Sequence, residues 1–347
     1  MRYKLLGNSG LRVSELCLGA MTFGEEWGWG ASRDESRRIF DAFAEAGGNF
    51  IDTANKYTEG NSEKLVGEFM GRDRERFVLA TKYTCSMRAG DPNAGGNHRK
   101  SMVQSLEASL KRLSTDYVDL YWLHAWDYMT PVEEVMRAFD DLVRSGKVLY
   151  AGISDAPAWI IARANTLAEL RGWTPFVGLQ IEYSLLERTV ERDLLPMAKA
   201  LGIGVTAWSP LGGGFLTGKY LKDAPKFAGL EKPRLELAPG FAAKTDRNML
   251  IAETLQKVAR EAGGTAAQAA LSWVRQKGTI PILGNRSLVQ LKDNLGCLGL
   301  VLEEKHLKVL DEVSRIELGF PHEFLTRPNI KQVMFQGTDS LIDRHNS

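Results

Sequence analysis

A closed (β/α)8 barrel is the fold class that this sequence predicts, and three observations predict it. From about Glu15 onward, short β-branched or aromatic runs alternate with longer amphipathic segments at the spacing of βα units, and eight such units can be counted. No linker or low-complexity stretch interrupts the series, which favours one closed barrel over a doubly wound sheet. A length of 347 residues suits that choice, and 44% hydrophobic content is ample for its core.

Taken in order, Tyr3 to Val13 reads as a short hairpin turning at Asn8-Ser9-Gly10, placed to plug the N-terminal face of the barrel. The expected strands are Leu16–Gly19, Asn49–Asp52, Phe77–Lys82, Val118–His124, Val148–Ser154, Val177–Ile181, Gly204–Trp208 and Thr279–Ile282. Helices are expected over Asp34–Ala46, Ser62–Met70, Arg99–Leu113, Pro131–Ser145, Pro157–Leu170, Glu191–Leu201, Met249–Ala262, Thr265–Gln276 and Ser287–Leu295. Pro131 and Pro157 fall where a first helical turn tolerates proline, and Gly146 and Gly202 fall where a helix stops. Tyr220–Arg247 is a long connection of the kind that serves as a lid, and residues after Ser314 form an irregular tail carrying Phe320, Phe324 and Phe335. The whole chain, 1–347, reads as one α/β unit, with a hairpin at 1–14 and a tail at 315–347.

Composition bounds the function. Lysine plus arginine number 44 against 43 acidic residues, a formal charge of +1, so neither nucleic acid nor an anionic membrane surface is suggested as a partner. Cys17, Cys85 and Cys297 are odd in number and far apart, as in reduced thiols of a cytosolic protein. Cys85 lies near Lys82, where oxidation is conceivable, but a buried inert thiol is the simpler expectation. The N-terminus lacks the apolar core of a signal peptide, and no apolar run approaches the ~20 residues of a spanning helix. A soluble, cytoplasmic protein is expected, with homo-oligomerisation left open.

The chemistry concentrates at the ends of three strands. Asp52, Lys82 and His124 each close a β-like run, and Tyr57 follows the first of them. On adjacent parallel strands these four side chains converge on one rim. A phenol is protonated at neutral pH and can donate to a developing alkoxide. A neighbouring ammonium is expected to lower its pKa toward the working range, with Asp52 holding that ammonium in place. His124 can orient a carbonyl oxygen. The set suits carbonyl reduction by hydride and suits hydrolysis poorly, because no activated serine or cysteine accompanies His124 and no zinc motif is present. Singly, each residue also reads as structure: a helix cap, a solvated strand end, a core histidine.

The chain resembles the aldo-keto reductases. The matching pieces are Gly48-Asn-Phe-Ile-Asp-Thr-Ala54 with Tyr57, Ala80-Thr-Lys82, Leu106 through His124, Gly152-Ile-Ser154, Leu179-Gln-Ile-Glu-Tyr183, Ala207-Trp-Ser-Pro-Leu211, Gly218-Lys219 and Pro281-Ile-Leu-Gly-Asn-Arg286 with Gln290 and Asn294. They run in the family's order over nearly the whole chain. The branch it most resembles contains aryl-alcohol dehydrogenases and potassium-channel β subunits, because Trp208 stands where other branches carry tyrosine. The resemblance implies a TIM barrel that binds NADP(H) across its mouth and reduces aldehydes or ketones reversibly, with hydride from the nicotinamide and the proton from Tyr57. It further implies that Ser154 and Gln180 hold the carboxamide and Trp208 stacks on the nicotinamide. Ser209, Pro210, Leu211 and Gly213, with Lys219, would line the pyrophosphate. Arg286 and Ser287, in the turn from Gly284, would meet the 2′-phosphate, and Gln290 and Asn294 would reach the adenine. One departure stands out: Asp155 replaces the family's usual asparagine and, when ionised, can only accept hydrogen bonds.

Trp27 and Trp29 in the first βα loop and Trp126 beyond His124 are expected to ring the pocket mouth, which favours apolar or aromatic carbonyls. Two alternatives stay open at this point: a redox-sensing subunit like the channel-associated relatives, and a class I aldolase using Lys82. A phosphate-loop reading of Gly213 to Lys219 fails because Tyr220 replaces the hydroxyl residue it requires, and no G-x-G-x-x-G follows the first strand.

Overall fold

The computed structural model describes residues 1–221 and 243–343. A two-stranded antiparallel hairpin, β1 (Tyr3–Leu5) and β2 (Arg12–Ser14), precedes eight parallel strands. These are β3 (Cys17–Gly19), β4 (Phe50–Asp52), β5 (Val78–Tyr83), β6 (Val118–Leu123), β7 (Val148–Ser154), β8 (Phe176–Glu182), β9 (Gly204–Trp208) and β10 (Ile280–Gly284). β10 pairs with both β9 and β3, closing the expected (β/α)8 barrel.

Alternation along each strand explains which side chains reach the active rim. Phe50, Val78, Ala80, Leu120, Trp122, Ile280 and Ile282 pack together in the lumen, while Ile51, Leu79, Tyr121, Leu123, Leu179 and Ala207 belong to the larger layer between strands and helices. A period of two then carries the lumen face upward to Asp52 from Phe50, to Lys82 from Ala80 and to His124 from Trp122. Gly152 and Gly178 are lumen positions as well: a Cβ at either would lie 2.3 or 2.8 Å from the Trp122 ring, so only glycine lets that indole fill the barrel. Two residues above them stand Ser154 and Gln180, and above Gln180 stands Glu182, paired in register with Trp208.

The hairpin plugs the N-terminal end as expected. Leu6 and Val13 are fully buried in the lumen cluster, and Asn8 N–H donates to Gly202 O at 2.8 Å.

Several boundaries differ from the sequence reading. Pro131 and Pro157 occupy the N-cap positions of helices Val132–Arg144 and Ala158–Arg171 rather than their first turns. The segment expected as Glu191–Leu201 divides into a 3-10 turn, Thr189–Glu191, and a helix, Leu194–Leu201. A helix at Glu304–Val313 was not anticipated, although Leu307, Leu310 and Val313 recur at helical spacing. The tail is not irregular throughout: His322–Thr326 and Pro328–Phe335 are helical. The expected lid falls mainly on 222–242, outside the described residues, and its last residues begin the helix Asp246–Glu261. Among the described residues no helix is long and apolar enough to cross a membrane.

Candidate active site

Strand ends bring the quartet together. The Lys82 ammonium, fully buried, donates to Asp52 Oδ2, to Thr53 O at 2.8 Å and to Tyr57 Oη at 3.1 Å. An ammonium has three N–H bonds, so this geometry uses all of them. The phenol oxygen therefore accepts from Lys82, and its own hydrogen is left to donate elsewhere. Asp52 is held from the other side by Gln180, whose amide nitrogen donates to Oδ1 at 3.0 Å, so the oxygen end of that amide points away from Asp52.

Tyr57 is positioned by a strained turn. Thr58 and Glu59 have φ of 45° and 54°, a left-handed conformation rare for a β-branched residue. The Thr58 hydroxyl offsets the strain locally, donating to Phe23 O at 2.8 Å and accepting from Ser62 N–H at 2.9 Å. Trp27 meets the Tyr57 ring edge-on at 6.3 Å between centroids, and Trp29 lies 5.6 Å from Trp27. His124, just past the end of β6, faces Tyr57, ring centroids 5.8 Å apart. Trp126 is partly buried against the layer between strands and helices, and its backbone N–H donates to Asp155 O at 3.2 Å.

Electrostatics set the protonation states. Burial alone would lower the Lys82 pKa, but Asp52 and Tyr57 outweigh it and hold the ammonium above its ordinary value. Burial also pushes the Tyr57 hydroxyl above the ordinary phenol value, and Lys82 offsets this only in part. The expectation that Lys82 brings the phenol toward neutrality is therefore corrected: desolvation wins, and Tyr57 stays a protonated donor. His124 is depressed to about 3 by burial and by Lys82, so the ring is neutral at physiological pH. Cys85 Sγ lies 3.6 Å from His124 Nδ1, and burial raises its thiol pKa. A thiol that remains protonated can donate to Nδ1, which leaves the ring N–H on Nε2. Sequence reasoning named Cys85 but missed this contact, which no local pattern signals.

The residues implied as a cofactor cradle stand along the rim from β7 to the helix Leu288–Leu295. Ser154 Oγ is buried and, among the described residues, makes no hydrogen bond of ordinary geometry, its one polar contact being the weak one to the adjacent Asp155 carboxylate. Trp208 Nε1 donates to Asp155 Oδ1 at 3.0 Å. Ser209, Gly213 and Gly214 all have positive φ, and a Cβ at Gly214 would lie 2.9 Å from Lys219 Nζ, so the glycine leaves room for that ammonium over the loop backbone. Pro210 is buried and Leu211 half-buried beside it. Ser287 caps the final helix by accepting from Gln290 N–H at 3.3 Å. Gln290 Oε1 accepts from Arg286 N–H at 2.8 Å, and Asn294 Nδ2 donates to Asn285 Oδ1 at 2.7 Å. Both of these side chains thus serve the turn that begins at Gly284. Leu288 N–H donates to Glu35 Oε1 at 2.6 Å, while Glu35 Oε2 pairs with Arg38. Glu182, unnoticed as a site residue, is raised to about 7 by burial and by the nearby Glu187 and Asp155 carboxylates.

A family profile described as the aldo/keto reductase family matches residues 15–315. The chain is 39% identical to the norsolorinic acid reductase of Aspergillus flavus over 92% of its own length and 83% of that protein. It is 38% identical to an aryl-alcohol dehydrogenase of Pestalotiopsis microspora, covering 93% and 85% of the two chains. Against a putative aryl-alcohol dehydrogenase of Saccharomyces cerevisiae the identity is 36%, over 91% and 87%. The profile spans every barrel strand and the whole of the quartet described above: the chain belongs to the aldo-keto reductase family.

Proposed function

We propose that this oxidoreductase is an NADP(H)-dependent reductase of aldehydes and ketones, working reversibly on apolar or aromatic carbonyls. The observation that carries the reading is the fully used Lys82 ammonium: with its three N–H bonds committed, the Tyr57 oxygen is an acceptor and its hydrogen is available to a substrate carbonyl. The reduced nicotinamide, when bound, supplies the hydride. Tyr57 gives the proton to the carbonyl oxygen, and neutral His124 orients that oxygen through Nε2–H. Asp52 keeps Lys82 charged and fixed, while Trp27 and Trp29 offer flat apolar walls beside the phenol. The name of one relative, an aryl-alcohol dehydrogenase, supports an aromatic substrate.

The cradle fits a nicotinamide dinucleotide. Ser154 Oγ is buried with a weak contact to the neighbouring Asp155 carboxylate, so a carboxamide could engage it; Gln180 turns its oxygen end away from Asp52, and Lys219 lies over a glycine loop suited to a pyrophosphate. Ser209, Pro210, Leu211 and Gly213 would line that loop, Trp208 would carry the nicotinamide ring, and Arg286 with Ser287 would take the 2′-phosphate. Gln290 and Asn294 would shape the adenine end through the turn they hold. The same reading takes the protein as cytoplasmic, acting on small molecules without nucleic acid or membrane partners. An aldolase is disfavoured physically, because a Schiff-base lysine must lose its proton and Lys82 is held charged by Asp52.

A panel of aliphatic and aromatic aldehydes and ketones, followed by loss of NADPH absorbance, tests the activity. Aromatic members are expected to turn over fastest, and no consumption with any of them would refute the reading. Cofactor choice has its own test. A charge-assisted contact contributes about 1.5–3 kcal/mol, so Arg286→Ala should weaken NADPH binding by roughly one to two orders of magnitude and leave NADH binding almost unchanged. Fluorescence titration reads both. A parallel loss for the two cofactors, or a wild-type preference for NADH with Glu35 at the helix N-terminus acting as the deciding charge, would overturn the NADP(H) assignment.

A further inference from the structure

We propose that Asp155 is a selectivity residue for the redox state of the bound nicotinamide, its carboxylate favouring the oxidised, cationic ring over the reduced, neutral one. The inference rests on the cofactor reading above, since it takes Trp208 as the platform for the ring.

The geometry fixes where the charge sits. Asp155 follows β7 directly with φ of 44°, a left-handed conformation that aspartate and asparagine tolerate through their short polar side chains. Its N–H donates to Gln180 O at 3.4 Å and its carbonyl accepts from Trp126 N–H, so the peptide groups on both sides are tied to neighbouring strand ends. The carboxylate then accepts from the Trp208 indole at 3.0 Å. An asparagine oxygen would accept the same hydrogen bond without charge, so orientation of Trp208 does not by itself call for a carboxylate. What aspartate adds is one negative charge held at the edge of the indole.

No cation is paired directly with that charge among the described residues. Lys82 is the cation that acts on Asp155, but its ammonium is already committed to Asp52, Thr53 and Tyr57. Glu182, on the lumen face of β8 and in register with Trp208, feels Asp155 as a like charge, and Asp155 also opposes ionisation of the Cys85 thiol. Burial raises the Asp155 pKa, while the Trp208 N–H, the Ser154 hydroxyl and Lys82 favour the ionised form. The positive charge that oxidation places on a nicotinamide ring beside Trp208 would therefore meet a fixed anion, and the neutral reduced ring would gain nothing comparable. By linkage, the equilibrium on the protein between NADPH with carbonyl and NADP⁺ with alcohol moves toward NADP⁺ and alcohol, the direction of carbonyl reduction, by the same factor.

Tryptophan fluorescence titrations of NADP⁺ and NADPH against the wild type, Asp155→Asn and Asp155→Gly test this directly. Asparagine keeps the hydrogen bond and removes the charge; glycine removes both and accepts the positive φ without strain. In both variants NADP⁺ binding should weaken relative to NADPH by about tenfold, the scale of one charge pair partly screened at a protein surface. An unchanged ratio of the two dissociation constants in a folded variant overturns the proposal while leaving the cofactor reading intact. A change in the glycine variant alone also overturns it, by assigning the effect to the hydrogen bond. Wild-type protein that binds neither cofactor would remove both the reading and the proposal.

Discussion

Replacing Tyr57 with phenylalanine should abolish carbonyl reduction while leaving NADPH affinity nearly unchanged. The phenol oxygen accepts from Lys82 at 3.1 Å, and its hydrogen is the proton the quartet can transfer, since neutral His124 only hydrogen-bonds the carbonyl and Lys82 is occupied. General acid catalysis of this kind contributes roughly 10² to 10⁴ in rate. Phenylalanine keeps the ring, so the edge-on contacts with Trp27 and His124 and the ammonium over the ring face, 4.6 Å from its centroid, persist. Folding should be little affected. Single-turnover kinetics reads the chemical step, and reduction within threefold of the wild type would show that Tyr57 is not the acid.

Lys82→Met carries the second large effect, and it falls on stability as well as turnover. The Lys82 side chain is 0% exposed and that of Asp52 3%, so methionine leaves a carboxylate buried without its counter-charge. Breaking such a pair from one side typically costs about 3–5 kcal/mol. Turnover should collapse too, because the phenol loses the cation that offsets its desolvation. A second change separates the effects. Asp52→Asn in the Lys82→Met chain should restore most of the stability and none of the activity, whereas Asp52→Asn alone should impair turnover less than Lys82→Met. Denaturant unfolding and steady-state rates measure the two arms. Wild-type turnover in Lys82→Met across neutral pH would refute the coupling.

Much of this site could be read from the sequence because barrel strands translate a period of two into a direction. Phe50, Ala80 and Trp122 are lumen residues, and Asp52, Lys82 and His124 stand two positions further along the same faces. Tyr57 was legible by type and by nearness to the strand end, but the strained Thr58-Glu59 turn that aims it was not, since no propensity signals left-handed threonine. Contacts over long separations were also hidden. Gln180 reaches Asp52 across 128 residues, and Trp208 reaches Asp155 across 53. The direction of the Tyr57 shift depends on how deeply the loops enclose the phenol, which composition does not encode. Gln290 and Asn294 carry side chains suited to an adenine, yet the fold also uses them to hold the turn at Asn285-Arg286. In the tail, Phe320, Val333 and Leu341 are exposed, so the two short helices there lack the buried stripe that makes a helix recognisable in sequence.

The central claim is that Tyr57 hands a proton to a carbonyl as NADPH delivers hydride. The most direct measurement mixes the preformed NADPH complex of the wild type or of Tyr57→Phe with an aromatic aldehyde under single-turnover conditions, following cofactor absorbance and alcohol formed. The account expects one alcohol per NADPH consumed in the wild type, and a rate at least a hundredfold lower in the variant at unchanged NADPH affinity. Reduction at comparable rates in both proteins, or NADPH consumed without alcohol, would contradict it.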